Sequence, residues 1–278
     1  MNRSERQCVP HAVEPWKRLQ HCPAPYPQRL THDQFKRYCE LVYRQCGIHL
    51  THDKKALLNA RLAKRLRRLG LQADQYYRLI CNNAREMTHF LDAVATHHTY
   101  FFRESRSFEI LRQDCRRIWC AASSSGEEAY SVAAYCFDLG FQPEILATDI
   151  SETCLQKART GLYPSQNARH IPERILKSCF QKGINRWHGY IRVKPKIRQM
   201  VHFQRFNLIN DIAPDDRFDV IFCRNVMIYF DRRTKEKVLE TLCSRLQPNG
   251  YFVIGGAESL SGLNHRLTYM EPSVYRKK

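Results

Sequence analysis

Long apolar runs are missing from this chain of 278 residues. The best, from Tyr251 to Ala257, has seven residues and two glycines. A membrane helix needs roughly 18 consecutive apolar residues, so the chain is not expected to be membrane-embedded. Glycine (11) and proline (12) are sparse and no heptad persists, which excludes the collagen, low-complexity and coiled-coil classes. The N-terminus is polar and basic without an apolar h-region, so no secretory signal is expected and a cytoplasmic location is. There is no Cys-x-x-Cys, and the twelve cysteines are scattered along the chain. In that context they read as reduced, mostly buried thiols rather than disulfides. No cluster has zinc-ligand spacing, and no metal site is expected.

Acidic residues are also in short supply. Asp plus Glu is 27 against 45 for Lys plus Arg, a net charge of +18. Such a field favours an acidic partner: nucleic acid, an anionic membrane surface or an acidic protein. What remains is ordinary globular composition, 43% hydrophobic and 26% charged, enough for one large domain or two modest ones.

Residues 1–30 carry five prolines and no periodic apolar face, and read as a loosely ordered tail. Thr31 to Gln34 forms a capping-box pattern. Phe35, Cys39, Val42 and Cys46 then recur at helical spacing, which predicts a helix to about Ile48. Asp53 is the expected cap of a second helix that Gly70 stops, with Leu57, Leu58, Leu62, Leu66 and Leu69 as its apolar face. Tyr76, Tyr77 and Ile80 mark a third helix, and Met87, Phe90, Leu91 and Val94 a fourth. Together they predict a helical domain over 31–98.

Beyond residue 110 the pattern changes, and 99–278 is expected to form a second domain. Strands are predicted at 118–122, 144–150, 201–207, 218–225 and 251–255. The helix before the last, through Val238, Leu239, Leu242 and Leu246, is expected to end at Pro248-Asn249-Gly250. Alternation of strands and helices implies an α/β fold with a mostly parallel sheet. Segments at 267–270 and 273–276 suggest a closing hairpin. Residues 179–200 break the alternation and suggest a small antiparallel β insert.

The turn after the first strand reads Ala121-Ala-Ser-Ser-Ser-Gly126-Glu127-Glu128. Small residues there cradle nucleotide-like ligands in α/β sheets, but neither a dinucleotide fingerprint nor a Walker loop is present. Two glutamates would repel a diphosphate and suit a cationic ligand, or one with hydroxyl and amine donors. The alternative is a plain helix N-terminus with favourably placed acids. Asp149 ends the second strand, where an acid accepts from ribose hydroxyls or caps the next helix. Asn207, and Arg224 with Asn225, end two further strands at the same edge; Tyr229 reads as core or as a site residue. His97 and His98 are adjacent and point apart, so they form no metal pair.

Five strings carry a resemblance: Thr99-x-Phe-Phe-Arg103-Glu, Ser-x-Gly126-Glu-Glu, Ala-Thr-Asp149-Ile, Phe-Asn207-Leu and Phe-Cys-Arg224-Asn-Val-Met-Ile-Tyr229-Phe-Asp. Over residues 31–276 the chain resembles the CheR-type chemoreceptor glutamate methyltransferases. The resemblance implies an all-α domain followed by a Rossmann-like domain with a β insert, and S-adenosylmethionine as cofactor. It implies cofactor contacts from His97, Thr99, Arg103, Glu127, Glu128, Asp149, Asn207, Leu208, Arg224 and Asn225. Arg103 and Tyr229 are implied near the transferred methyl. The chain departs from the usual pattern with His97 for Asn and Ala129 for Pro.

Seven cations and no acid lie between Lys54 and Arg68. Lys54, Arg61, Lys64, Arg65 and Arg68 are expected opposite the leucines. Like charges at i,i+4 destabilise a helix, which suggests docking of acidic receptor helices; the plainer reading is a solvated face. Trp187 and Tyr190 of the insert are expected to hold a receptor's C-terminal tether peptide as an added strand, or else to lie on a solvated edge. The expected partners are thus chemoreceptors, with no stable nucleic-acid complex, and the chain itself is expected to be a monomer. Two other classes compete. A nucleic-acid methyltransferase would suit the charge but lacks an Asn/Asp-Pro-Pro-aromatic string or a Pro-Cys nucleophile. A non-catalytic cofactor-sensing module would not require Arg103 or Tyr229.

Overall fold

The structure is a computed structural model that describes residues 29–278. The tail expected over 1–30 lies outside the described residues up to 28, and Leu30 is already packed in the helical core.

Helix α1 (His32–Cys46) starts as its sequence dictates. Thr31 accepts from the Gln34 amide, and the Gln34 side chain accepts from the Thr31 amide. Helix α2 (Lys55–Leu69) follows a short 3-10 turn, with Lys54 rather than Asp53 at its N-cap position, and Gly70 closes it at φ 65°. Only Leu58, Leu62 and Leu66 are buried; Leu57 and Leu69 are exposed, because a single stripe cannot hold neighbours 100° apart. Helices α3 (Ala73–Asn82) and α4 (Ala84–Val94) complete the bundle. Tyr38, Tyr76 and Phe90 meet at its centre with ring centroids 5.6 and 6.3 Å apart.

The remainder alternates. In chain order come β1 (Arg117–Ala121), α5 (Glu127–Asp138), β2 (Glu144–Asp149), α6 (Glu152–Thr160), β3 (Leu162–Pro164), α7 (Glu173–Cys179), β4 (Phe180–Lys182), β5 (Tyr190–Val193) and α8 (Pro195–Arg198). They are followed by β6 (Val201–Arg205), β7 (Phe218–Cys223), α9 (Arg232–Ser244), β8 (Leu246–Val253), β9 (Leu267–Glu271) and β10 (Val274–Lys277). Seven strands form the main sheet in the order β6-β2-β1-β7-β8-β10-β9. The first five are parallel, and the expected hairpin adds β10 and β9 antiparallel. Strand β1 is buried on both faces: Ile118 and Cys120 enter the core beneath α5, Trp119 and Ala121 the core beneath α9.

Two expectations change. Helix α9 ends at Ser244, and Pro248-Asn249-Gly250 lie inside β8; a register shift opposite Phe218 and Val220 and φ 64° at Asn249 accommodate them. The small antiparallel sheet is not confined to 179–200, since β3 supplies its outer strand in the order β3-β5-β4. The ten described cysteines are free thiols, most of them buried. Among the described residues no helix is long and apolar enough to cross a membrane.

One buried carboxylate organises the helical domain. Glu86 of α4 receives Arg65 through both guanidinium branches, Nε at 2.7 Å, and the Tyr76 hydroxyl at 2.9 Å. Replacing Arg65 with Gln leaves Glu86 without its cation in a largely apolar site. Urea titration of the Arg65→Gln variant is expected to show a loss of about 2–3 kcal/mol; a loss below about 0.5 kcal/mol, the size of a surface effect, would remove this pair from the stabilising set.

Candidate active site

The carboxyl ends of the parallel strands meet at one edge, where open α/β sheets bind ligands. The first wall is the turn from Ala122 to Gly126. Ala122, Ser124 and Gly126 take φ values of 65°, 50° and 90°. A Cβ on Gly126 would lie 2.8 Å from Ala158 Cβ and 3.1 Å from the Tyr163 hydroxyl, so glycine is required by both conformation and space. Phe102, Glu104 and Asn225 also have positive φ, so five of the eight non-glycine residues of this kind among the described residues line one edge. Strained backbone concentrated in this way points to a functional site.

Asp149 is buried at the end of β2. Its Oδ2 accepts from Ser124 N at 2.7 Å and its Oδ1 from Ser151 N at 2.9 Å. The Ser151 hydroxyl, not Asp149, caps α6. Burial pushes the Asp149 carboxyl up from the usual range, while the two amides and His97 oppose the rise. Burial acts to lower the His97 imidazole as well, but hydrogen bonds to Cys154 and to Asp92 O, with the nearby Asp149, carry it up to about 9. The rise favours the imidazolium form of His97 beside the buried Asp149.

Asp149, His97, Asn207, Leu208 and Tyr229 line one cavity of about 80 Å³, with Ile150, Phe206 and Val226 as apolar walls. Cys46, Ile48 and Ala95 close it from the helical side. Tyr229 lines this cavity while also packing against the core beneath α9, and its carbonyl accepts from His49 N at 2.8 Å. The Asn207 side chain is already engaged, since Nδ2 donates to Gln45 O at 2.7 Å and Oδ1 accepts from Ile209 N at 3.0 Å. Asn207 thus lines the cavity while its amide caps the C-terminus of α1.

A second group adjoins the first. Arg224 is buried, not a surface arginine. It donates to Glu128 at 2.9 Å, to Arg103 O at 2.6 Å and to Glu104 at 3.2 Å. Burial raises the Glu128 carboxyl, and Arg224 pulls it back. Glu104, which the sequence reading left unassigned, also accepts from Gly256 N at 2.7 Å. Glu127 belongs to a different network, accepting from the Ser125 hydroxyl at 2.6 Å and lying 3.7 Å from Lys157. Arg103 donates to His98 O at 3.0 Å and lies over the Tyr100 ring, a quarter exposed. Thr99 is half-buried.

A ligand with an apolar base, a diol and a charged tail fits these residues. The cavity offers apolar walls beside a buried carboxylate, and two of the four buried side-chain polar atoms without a protein partner among the described residues, Ser123 Oγ and Arg224 Nε, belong to this edge.

The expected docking residues divide. Arg61 donates to Val94 O and Ala95 O at the end of α4, and Arg65 holds Glu86. Both are corrected from docking cations to internal struts, because their guanidinium groups are engaged within the bundle. Lys54, Lys64 and Arg68 are exposed. Trp187 and Tyr190 are exposed with edge-to-face rings 6.2 Å apart, and Trp187 lines a groove of about 530 Å³ with Leu162, Ile184 and Arg192.

Five parallel strands closed by an antiparallel hairpin, with an acid ending the second strand, define a Rossmann-like S-adenosylmethionine-dependent methyltransferase. Residues 97–276 match the CheR methyltransferase SAM-binding domain and residues 33–95 the CheR methyltransferase all-alpha domain. The chain is 36% identical over 262 residues to a chemotaxis protein methyltransferase of Salmonella typhimurium, covering 88% of this chain and 90% of that one. It is 37% identical to chemotaxis protein methyltransferase 2 of Pseudomonas aeruginosa, with 88% and 93% covered. With that of Escherichia coli it shares 35% identity, with 88% and 91% covered. The chain belongs to the CheR methyltransferase family, and its cofactor is S-adenosylmethionine.

The raised His97 sets a testable pH dependence. A histidine whose pKa rises on folding adds stability that is full below about 6.5, its unfolded value. That stability is lost as pH climbs through about 9. The melting temperature of the parent relative to His97→Asn is expected to be higher at pH 6 than at pH 9.5. A pH-independent difference would mean that the His97 pKa does not change on folding.

Proposed function

We propose that the chain methylates glutamate side chains on the cytoplasmic helices of chemoreceptors, giving methyl esters. The observation that carries this reading is the cavity with Asp149 and Tyr229 in its wall, beside the Arg224 network. A solvent-exposed glutamate has a pKa of about 4.3 and is already a nucleophilic anion at neutral pH. S-adenosylmethionine, when bound, supplies a methyl on a sulfonium that leaves as a thioether when a carboxylate oxygen takes the methyl. No proton has to move, so the protein's task is to align the carboxylate and keep water away.

In this reading Asp149 receives the ribose hydroxyls on lone pairs that Ser124 N and Ser151 N leave open. Phe206, Ile150 and Leu208 enclose the base, with His97 beside the ribose. Thr99, Glu128 and Asn225 face the charged tail, and Arg224 neutralises Glu128 and Glu104 so that the site is not over-acidic. Glu127, turned toward Lys157, supports the turn rather than the ligand. Arg103 orients the incoming carboxylate, and its engagement with His98 O and Glu104 keeps it from binding that carboxylate too tightly. Tyr229 orients it through the hydroxyl.

Docking falls to the exposed cations of α2, Lys64 and Arg68 with Lys54 at its start, meeting acidic receptor helices. The groove beside Trp187 and Tyr190 takes a tether peptide, and the chain works as a monomer. The direct test is incubation with tritiated cofactor and receptor-containing membranes, followed by alkaline release of volatile methanol. Label that resists alkali would exclude an ester.

Two variants test the parts. Asp149→Asn keeps one acceptor for the turn and is expected to weaken S-adenosylmethionine and S-adenosylhomocysteine alike by about tenfold; unchanged calorimetric affinity for both would remove Asp149 from the site. The pair Lys64→Gln with Arg68→Gln is expected to slow methylation at low salt and flatten its salt dependence, because rim charges act mainly on association. A salt slope equal to the parent's would rule out docking through α2.

A further inference from the structure

The segment between β7 and α9 carries both Asn225 and Tyr229, and its only regular structure is the 3-10 turn Met227–Tyr229. Asn225 sits at φ 56°, in the left-handed region that asparagine adopts more readily than other side-chain-bearing residues. The group that holds it there is Glu258, on the loop after β8. Its Oε2 accepts from Asn225 N at 2.9 Å and from Gly255 N at 2.7 Å, and its Oε1 accepts from Ile228 N at 3.2 Å. One carboxylate thus ties three main-chain amides from two separate stretches of chain.

The fit is close. A Cβ on Gly255 would lie 2.4 Å from Asn225 Nδ2, so the side chain of Asn225 is seated against bare main chain. From there Nδ2 faces Glu104 Oε1 at 3.5 Å, which places Asn225 within the Arg224 network. At the other end of the segment, Ile228 is the residue before Tyr229. Holding its amide sets the direction from which the tyrosine ring enters the cavity. Amide-to-carboxylate bonds are charge-assisted and stronger than neutral ones. The three donors lie beyond the last paired residues of β7 and β8, outside the hydrogen-bonding ladder of that pair.

We propose that Glu258 is a positioning residue for methyl transfer. It touches neither cofactor nor substrate; it fixes the segment 225–229 so that Asn225 meets the cofactor's charged tail and Tyr229 its reacting end. The proposal rests on the reading that these two residues face the cofactor. It predicts a graded response to substitution. Glu258→Ala removes all three acceptor contacts. Glu258→Gln keeps one acceptor oxygen, enough for Asn225 and Gly255 or for Ile228, but turns an N–H toward the remaining donor.

The experiment compares the full-length parent with E258Q, E258A and Leu242→Ala, a core truncation in α9 away from this edge. All are measured well below their melting temperatures. Calorimetry with S-adenosylhomocysteine is the first readout, and kcat with receptor membranes the second. E258A is expected to bind about tenfold more weakly than the parent, with E258Q between the two. kcat is expected to fall in the same order. Leu242→Ala is expected to lose melting temperature while keeping the parent's affinity, which a purely structural role for Glu258 would not distinguish from E258A. Should E258A fail to fold, E258Q alone carries the comparison. Parent-like affinity and kcat in folded E258Q would overturn the proposal. Parent-like affinity and kcat in Asn225→Ala and Tyr229→Phe would instead overturn the underlying reading that these two residues face the cofactor.

Discussion

The buried guanidinium of Arg224 constrains everything around it. It ends a strand of apolar residues, Val220 to Cys223, and has almost no solvent of its own. A charge in that position is tolerated only if paired and hydrogen-bonded. Glu128, from the first turn of α5, and Glu104, from the segment that joins the two domains, must therefore converge on it. Their convergence fixes the approach of α5 to the sheet. It also accounts for φ 49° at Glu104, whose carbonyl neighbour Arg103 is a further acceptor for the same guanidinium. The polar edge of the sheet is built around neutralising one cation, and the ligand-facing groups are those left over.

The helical domain is part of the same construction. Asn207 and Asn210, from the loop after β6, donate to the terminal carbonyls Gln45 O and Arg44 O of α1. Those carbonyls have no partner within the helix. Tyr43 reaches Asp231 at 2.8 Å, His49 N reaches Tyr229 O, and Thr153 reaches Asp92 at 2.6 Å. The contacts run along the rim of the cavity, so the end of α1 and the segment after α4 form one of its walls. Cofactor binding and domain docking consequently share residues, and a weakened domain contact should be felt as weakened affinity.

The basic helix shows how charge counting and structure part company. Arg61 and Arg65 look like members of a cationic face by composition. Their partners, the carbonyls at the end of α4 and the carboxylate of Glu86, lie 21 or more positions away in sequence. A long side chain with a fork of donors can turn inward from the edge of a helix as easily as outward. Lys64 and Arg68, one turn apart and without such acceptors nearby, remain on the outside.

Local chemistry was enough to read much of this protein. The capping box at Thr31, the stop at Gly70, the strand ends at Asp149 and Arg224 and the closing hairpin follow from spacing and residue type, which act over a few residues. The motif strings were enough to identify the family. What the sequence alone did not determine is which polar groups remain available. Asn207 spends its amide on a helix end reached only after folding, Glu127 and Glu128 face different partners although adjacent, and Glu104 and Glu258 carry no signal as organisers. Leu57 against Leu58 is a choice of face, and so is the placing of Tyr229 on the cavity wall. Such choices depend on long-range packing, because a hydrogen bond or an apolar contact is decided by what the rest of the chain brings within about 4 Å.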